Sequence, residues 1–179
     1  TLLMPLSSFA LDCQVQVTGK YDLKTQFARK PLLLKDQTLV VGRQNEGSYF
    51  FIKPDGNIIN YNLGSIPTQG NVSELADGTV VAASQDGRLH FLDSNGIENR
   101  AFMATPGRYL WHTAELKNGT LLALANRAGA KSPLGSAHFL NPDGSTKATI
   151  DLGVDAVYSR PLILPDGTIA LKTQSSKAV

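Results

Sequence analysis

The chain of 179 residues contains a single cysteine, Cys13, which rules out an internal disulfide and any zinc centre built on cysteines. The fold therefore has to be held by packing. Tryptophan is as scarce, with Trp111 the only one. No charge of one sign dominates: 17 Lys and Arg face 15 Asp and Glu for a formal net charge of +2, which supplies no broad basic field for a nucleic-acid partner. Charged residues make up 18% of the chain and apolar ones 42%, without charge runs or low-complexity tracts, a composition that folds rather than staying disordered. No apolar run approaches the ~20 residues of a membrane span. Helical periodicity is sustained nowhere, and Gly-x-Ser-x-Gly, P-loop and His-Glu-x-x-His signatures are all missing. What is left is a globular, non-helical chain without recognisable catalytic machinery, expected to be no enzyme and to carry no cofactor.

The first ten residues, TLLMPLSSFA, form an apolar run ending with Ser8 and Ala10 at the small-residue spacing that signal peptidase prefers. Residues 1–12 thus read as an export-signal remnant or an N-terminal extension, and the protein as periplasmic or secreted. The competing reading is an apolar N-terminal strand. Asp12, just ahead of Cys13, argues against a lipoprotein site.

The strongest positive signal is a repeated phrase. Leu34-Lys35-Asp36-Gln37-Thr38, Leu75-Ala76-Asp77-Gly78-Thr79, Leu116-Lys117-Asn118-Gly119-Thr120 and Leu164-Pro165-Asp166-Gly167-Thr168 share the pattern Leu-x-Asp/Asn-Gly-Thr, with Gln37 the one departure, and their threonines lie 41, 41 and 48 residues apart. Asp-Gly and Asn-Gly favour the φ > 0 turns that join antiparallel strands in two residues, so each phrase predicts a hairpin apex. A short apolar run follows each one. A second apex recurs downstream at Pro54-Asp55-Gly56, Ser94-Asn95-Gly96 and Pro142-Asp143-Gly144, each preceded by an aromatic-aliphatic pair (Phe51-Ile52, Phe91-Leu92, Phe139-Leu140). Every unit is then four short strands, a to d, joined by tight turns.

A four-stranded antiparallel meander of this length, repeated, predicts an all-β propeller with four blades per chain. Residues 28–68, 69–109 and 110–154 read as whole blades. Residues 13–27 read as strands c and d of a closing blade, and 155–179 as its strands a and b. The inner strands carry modest fillers, Val80, Val81, Ala82 and Ala83 in one blade and Leu121, Leu122, Ala123 and Leu124 in the next, which suits blades that diverge little. The expected arrangement is half of an eight-blade ring, completed by a second copy in a two-fold homodimer. A single four-blade ring and a piece of a longer protein stay open as alternatives.

These repeats resemble the propeller superfamily of WD40-like and quinoprotein-like proteins over about residues 13–175. The Thr18-Gly19-Lys20 turn ahead of Phe27 is similar to the Thr-Gly-Lys-x-x-Trp phrase of quinoprotein repeats, but it occurs once and lacks the tryptophan. The Gly-His and Trp-Asp dipeptides of WD40 repeats are also missing. The resemblance implies architecture and no more.

Function is then sought by comparing equivalent positions across blades. Four residues before each repeat leucine lie Lys30, Asn71, His112 and Arg160, and beside His112 lies Trp111, which together read as a mouth for an anionic or sugar-like ligand against the plainer reading of wet strand ends. Gln44, Gln85, Asn126 and Gln174 form an amide column read as pinning the b-to-c turns. His90 and His138 share one strand-c column with Phe50 and Cys13, whereas His112 is on strand a, so no shared metal site is expected. The longer third blade places Arg127 and Lys131 in an extended loop, the candidate for partner contact. The sequence thus points to a non-enzymatic scaffold of the cell envelope that binds a protein or a small polar or anionic ligand through one face. The alternative is a quinoprotein-like or lyase-like enzyme with a site in the central channel, which needs convergent acid/base groups or an aromatic-flanked cofactor slot.

Overall fold

The computed structural model describes residues 31–43, 47–63, 72–103, 108–127, 135–153, 157 and 159–173. Within them the repeat phrase folds the same way each time. The N–H at the fourth position donates to the leucine carbonyl, as from Gly78 to Leu75 at 3.0 Å and from Gly119 to Leu116 at 2.9 Å, and the leucine N–H donates to the threonine carbonyl at 2.8 Å. The Asp or Asn side chain accepts the threonine N–H, with Asp77 to Thr79 at 2.9 Å and Asn118 to Thr120 at 3.1 Å. Positive φ occurs only at the fourth position: Gly78 at 87°, Gly119 at 76°, Gly167 at 90°, and Gln37 at 68° where glycine is replaced. The apices are where the phrase predicts them, but the connection corrects the two-residue expectation. It is a three-residue loop with one left-handed residue, because Asp and Asn stay at negative φ and use their side chains to accept the N–H two residues on.

These turns join strands in simple meanders. β1 (Leu32–Leu33), β2 (Leu39–Gly42), β3 (Ser48–Ile52) and β4 (Ile58–Asn62) form the first sheet in that order. β5 (Val72–Glu74), β6 (Val80–Ala83), β7 (Arg88–Leu92) and β8 (Glu98–Met103) form the second. β9 (Arg108–Glu115), β10 (Leu121–Arg127), β11 (Gly135–Leu140) and β12 (Thr146–Asp151) form the third, while β13 (Leu162–Ile163) and β14 (Ile169–Ala170) pair alone. All pairings are antiparallel and in equivalent register: Val41 lies opposite Phe50, Ala82 opposite His90 and Ala123 opposite His138. β9 begins at Arg108, ahead of the blade boundary read at residue 110. Residues 13–27, read as strands c and d of a closing blade, lie outside the described residues.

The core lies between sheets rather than inside any one of them. Val40, Tyr49 and Phe51 of the first sheet pack on Val80, Ala82 and Leu92 of the second. Val81, Ala83, Leu89 and Phe91 then pack on Leu121, Ala123 and Leu140 of the third. The third meets β14 through Leu122, Leu124 and Ala137 with Ile169 and Leu171. β6 and most of β10 are buried on both faces, which is why each b strand is a continuous apolar run instead of an alternating one. Each fully buried Leu or Phe contributes about 1.5–3 kcal/mol against exposure. Three four-stranded meanders stacked face to face, with a fourth begun by β13 and β14, are the blades of an all-β propeller.

Candidate functional site

Strands β1, β5 and β9 and the segment leading into β13 face one another around a cavity of about 510 Å³. Its polar lining comes from Lys35, Ser73, Glu74, Thr113, Glu115 and Arg160. Most of these groups already hold neighbouring blades together. Glu74, just before a repeat leucine, accepts the Lys35 N–H of the preceding blade at 3.2 and 3.1 Å, and Glu115, one repeat later, accepts the Ala76 N–H at 2.6 Å. The Lys35 ammonium donates back to the Ala76 carbonyl at 2.8 Å, and Lys117 does the same to Pro165. Ser73 donates to the Thr113 carbonyl at 2.9 Å while the Thr113 hydroxyl donates to Ser73 Oγ at 2.8 Å. Arg160 differs: it is exposed and has no partner among the described residues.

The predicted polar column is described only in part. Lys30 and Asn71 lie outside the described residues. Of the described members, Arg160 lines the cavity, whereas His112 is only 3% exposed and lines it no more than Trp111 does. The cause is a bulge in β9. His112 opposes Leu124 and Leu110 opposes Ala125, so Trp111 is the extra residue and the alternation of inward and outward side chains slips there. Arg127 ends β10, and Lys131 lies outside the described residues. The carboxylates that replace the expected column were legible as a glutamate recurring at the repeat interval, Glu74 and Glu115, one residue before the leucine.

The amide column needs a correction. Asn126 donates from Nδ2 to the Val157 carbonyl at 3.0 Å and accepts the Val157 N–H at 2.9 Å, so it ties its blade to the next instead of pinning its own turn. β10 runs past Asn126, whereas in the second blade the tight Ser84–Gly87 turn, closed by its own hydrogen bond of 3.4 Å, already contains Gln85. Gln44 and Gln174 lie outside the described residues.

The strand-c histidines make two unlike polar knots. His90 Nδ1 lies 3.0 Å from Glu98 Oε1 and 3.2 Å from the Tyr61 hydroxyl, which donates to Glu98 Oε2 at 2.6 Å. Because the single hydroxyl proton goes to Glu98, Nδ1 carries the imidazole proton, and Nε2 is buried without a hydrogen-bond partner among the described residues. Burial and then the bond to Glu98 push the Tyr61 hydroxyl above its ordinary range. At Glu98 burial acts upward, but the hydrogen bonds from Tyr61 and His90 outweigh it and hold the carboxyl below its ordinary value. One blade on, His138 meets two hydroxyls, with Nε2 2.9 Å from Ser136 Oγ and Nδ1 3.2 Å from Thr149 Oγ1. Among the described residues no three His, Cys, Asp or Glu side chains converge as metal ligands.

No protein-family model matches the chain, and no curated protein does. Solved structures do. The WD40 β-propeller domain of Doa1 superposes with a TM-score of 0.61 at 13% identity, over 83% of this chain and 48% of that one. An extracellular domain from B. thetaiotaomicron gives 0.57 at 16% identity over 80% of this chain and 20% of that one. The quinohemoprotein alcohol dehydrogenase of Comamonas testosteroni gives 0.54 at 18% over 71% and 21%. This chain therefore spans about half of the Doa1 domain and about a fifth of the other two. Likeness at such identities concerns the fold, and the chain is an array of β-propeller blades.

Proposed function

We propose that the chain is a non-enzymatic binding scaffold of the cell envelope that holds a small polar ligand with an anionic group in the cavity between its inner strands. The observation that carries this reading is Arg160, an exposed guanidinium without a partner among the described residues, at a cavity of about 510 Å³. That volume falls in the usual range of ligand pockets. Guanidinium offers a planar fork to a carboxylate or phosphate. Glu74 and Glu115, each engaged by one backbone N–H, retain acceptor capacity for ligand hydroxyls or amides. The envelope location is supported by the apolar run at residues 1–10 and by likeness to an extracellular domain.

Thermal unfolding in graded citrate and sulfate tests it. Anions bound at Arg160 raise the melting temperature of the native chain, and Arg160→Ala abolishes the increment. Equal increments in both proteins would overturn the assignment.

A further inference from the structure

In each complete blade junction a strand-c phenylalanine is roofed by the c-to-d turn glycine of the next blade. A Cβ on Gly96 would come within 3.0 Å of the Phe51 ring, and one on Gly144 within 3.6 Å of the Phe91 ring. Phe51 and Phe91 are both 0% exposed as a result. The third member of the column, Phe139, opposes Leu122 as Phe91 opposes Val81, but no turn glycine roofs it among the described residues. It lines an apolar groove of about 540 Å³ with Leu122, Ile150, Leu152, Ile169 and Leu171, and Ile150 is 50% exposed. The free edge of β14 borders this groove, since among the described residues β14 pairs only with β13.

We propose that this groove is filled by residues 13–27 of a second copy of the chain, two copies exchanging hairpins to complete each other's last blade. Two independent alignments select that segment. Phe50, His90 and His138 each stand six residues before a turn glycine, Gly56, Gly96 and Gly144, and Cys13 stands six before Gly19. The b-strand residues opposite the first three, Val41, Ala82 and Ala123, are each three past the repeat threonine, as Leu171 is past Thr168. The same register therefore sets Gly19 on Phe139 and Cys13 opposite Leu171.

The choice of a second copy over the same chain follows from the ends of the array. In the described blades a d strand leads into the a strand of the next, so the proposed exchange takes residues 13–27, four residues ahead of β1, as the d-strand side of the junction before the first sheet. Leu33 is 57% exposed and Leu162, in β13, is 60% exposed, so neither residue is covered by the other end of the same chain. Their chemistry nevertheless matches. Leu33 occupies the position at which Glu74 and Glu115 accept a backbone N–H from the preceding blade, and Pro165 occupies the donor position of Lys35 and Ala76 while having no N–H to give. An apolar residue is therefore what the Pro165 turn calls for. Isologous exchange of this kind closes after two chains.

The test uses Leu171→Cys. Directly opposed residues in antiparallel strands lie 4.5–5.5 Å apart between Cα atoms, inside the span a disulfide bridges. Mild oxidation should convert the variant into a species of twice the chain mass on a non-reducing gel, with loss of both thiols, and Cys13→Ser should prevent it. Light scattering of the unaltered chain should independently give twice 19.2 kDa. A crosslink within single chains, thiols that survive oxidation in a folded variant, or a monomeric mass that persists at high concentration would each overturn the proposal.

Discussion

The junction between the second and third blades and the junction between the third and β13–β14 use the same plan with unequal completeness. At the first, Phe91 is fully buried, the Arg100 guanidinium lies 4.4 Å from its ring centroid and donates to the Pro142 carbonyl at 2.6 Å, and Glu115 receives the Ala76 N–H. At the second, Phe139 is only partly buried, Ile163 stands where Glu115 would, and the junction is tied by Asn126 to Val157 and by Lys117 to Pro165. The difference teaches that a blade is not a self-sufficient unit. Its strands form from local turn chemistry, but its faces are finished only by the neighbour that supplies a roof and a carboxylate.

The largest effect that sharpens this contrast is expected from truncating the two phenylalanines. Phe91→Ala should cost about 3–5 kcal/mol, since it empties a closed site, and that cost should not depend on protein concentration. Phe139→Ala should cost less in dilute solution and more as concentration rises if, as proposed, a second copy covers the ring. Denaturant unfolding of both variants at two concentrations checks this; equal, concentration-independent costs would break the comparison.

The two junctions also show how far residues can be read in advance. The four Leu-x-Asp/Asn-Gly-Thr phrases announced their hairpins because turn chemistry is local: an Asx side chain and one left-handed residue suffice. The apolar b strands announced themselves for a similar reason, as burial on both faces removes every polar position from them. The site was less legible. Arg160 was found as a polar residue at a repeat-related position, but its companion His112 was not separable from it, since the β9 bulge at Trp111 depends on pairing with Leu124 and Ala125, far along the chain. Glu74 and Glu115 carried a readable signal in their spacing, yet their role needs the turn of another blade to be in place.

An intermediate effect is expected at the turns, where complete and incomplete junctions share the same local geometry. Gly78 sits at φ 87°, and a Cβ added there would meet nothing within 4 Å. Gly78→Val therefore meets no clash, and its cost is that of a left-handed β-branched residue, about 1–3 kcal/mol. Gln37 already bears a milder form of that strain at φ 68°, and Gln37→Gly should recover up to about 1 kcal/mol. Denaturant midpoints that move the same way in both variants would contradict the shared turn.

The smallest effect separates the two histidine knots, of which the one at His90 includes the Glu98 carboxylate and the one at His138 includes the hydroxyls of Ser136 and Thr149. Glu98 titrates below its ordinary value of 4.5 in the folded protein, so the folded state binds its proton less readily than the unfolded chain does. Its stabilising contribution is accordingly complete above about pH 4.5 and is lost as pH falls through the lower folded-state value. With Glu98 partly exposed, the contribution should stay under about 1 kcal/mol. Glu98→Gln should flatten that part of the stability profile, while Thr149→Val, which removes a hydroxyl from the knot at His138, should lower stability without changing the slope below pH 4.5. Unfolding free energies measured between neutral pH and about pH 3 for the three proteins supply the comparison. An acid slope unaltered by Glu98→Gln would mean that another carboxylate governs the acid limb, and that the knot tying the first blade to the second through Tyr61 is no more acid-sensitive than the one at His138.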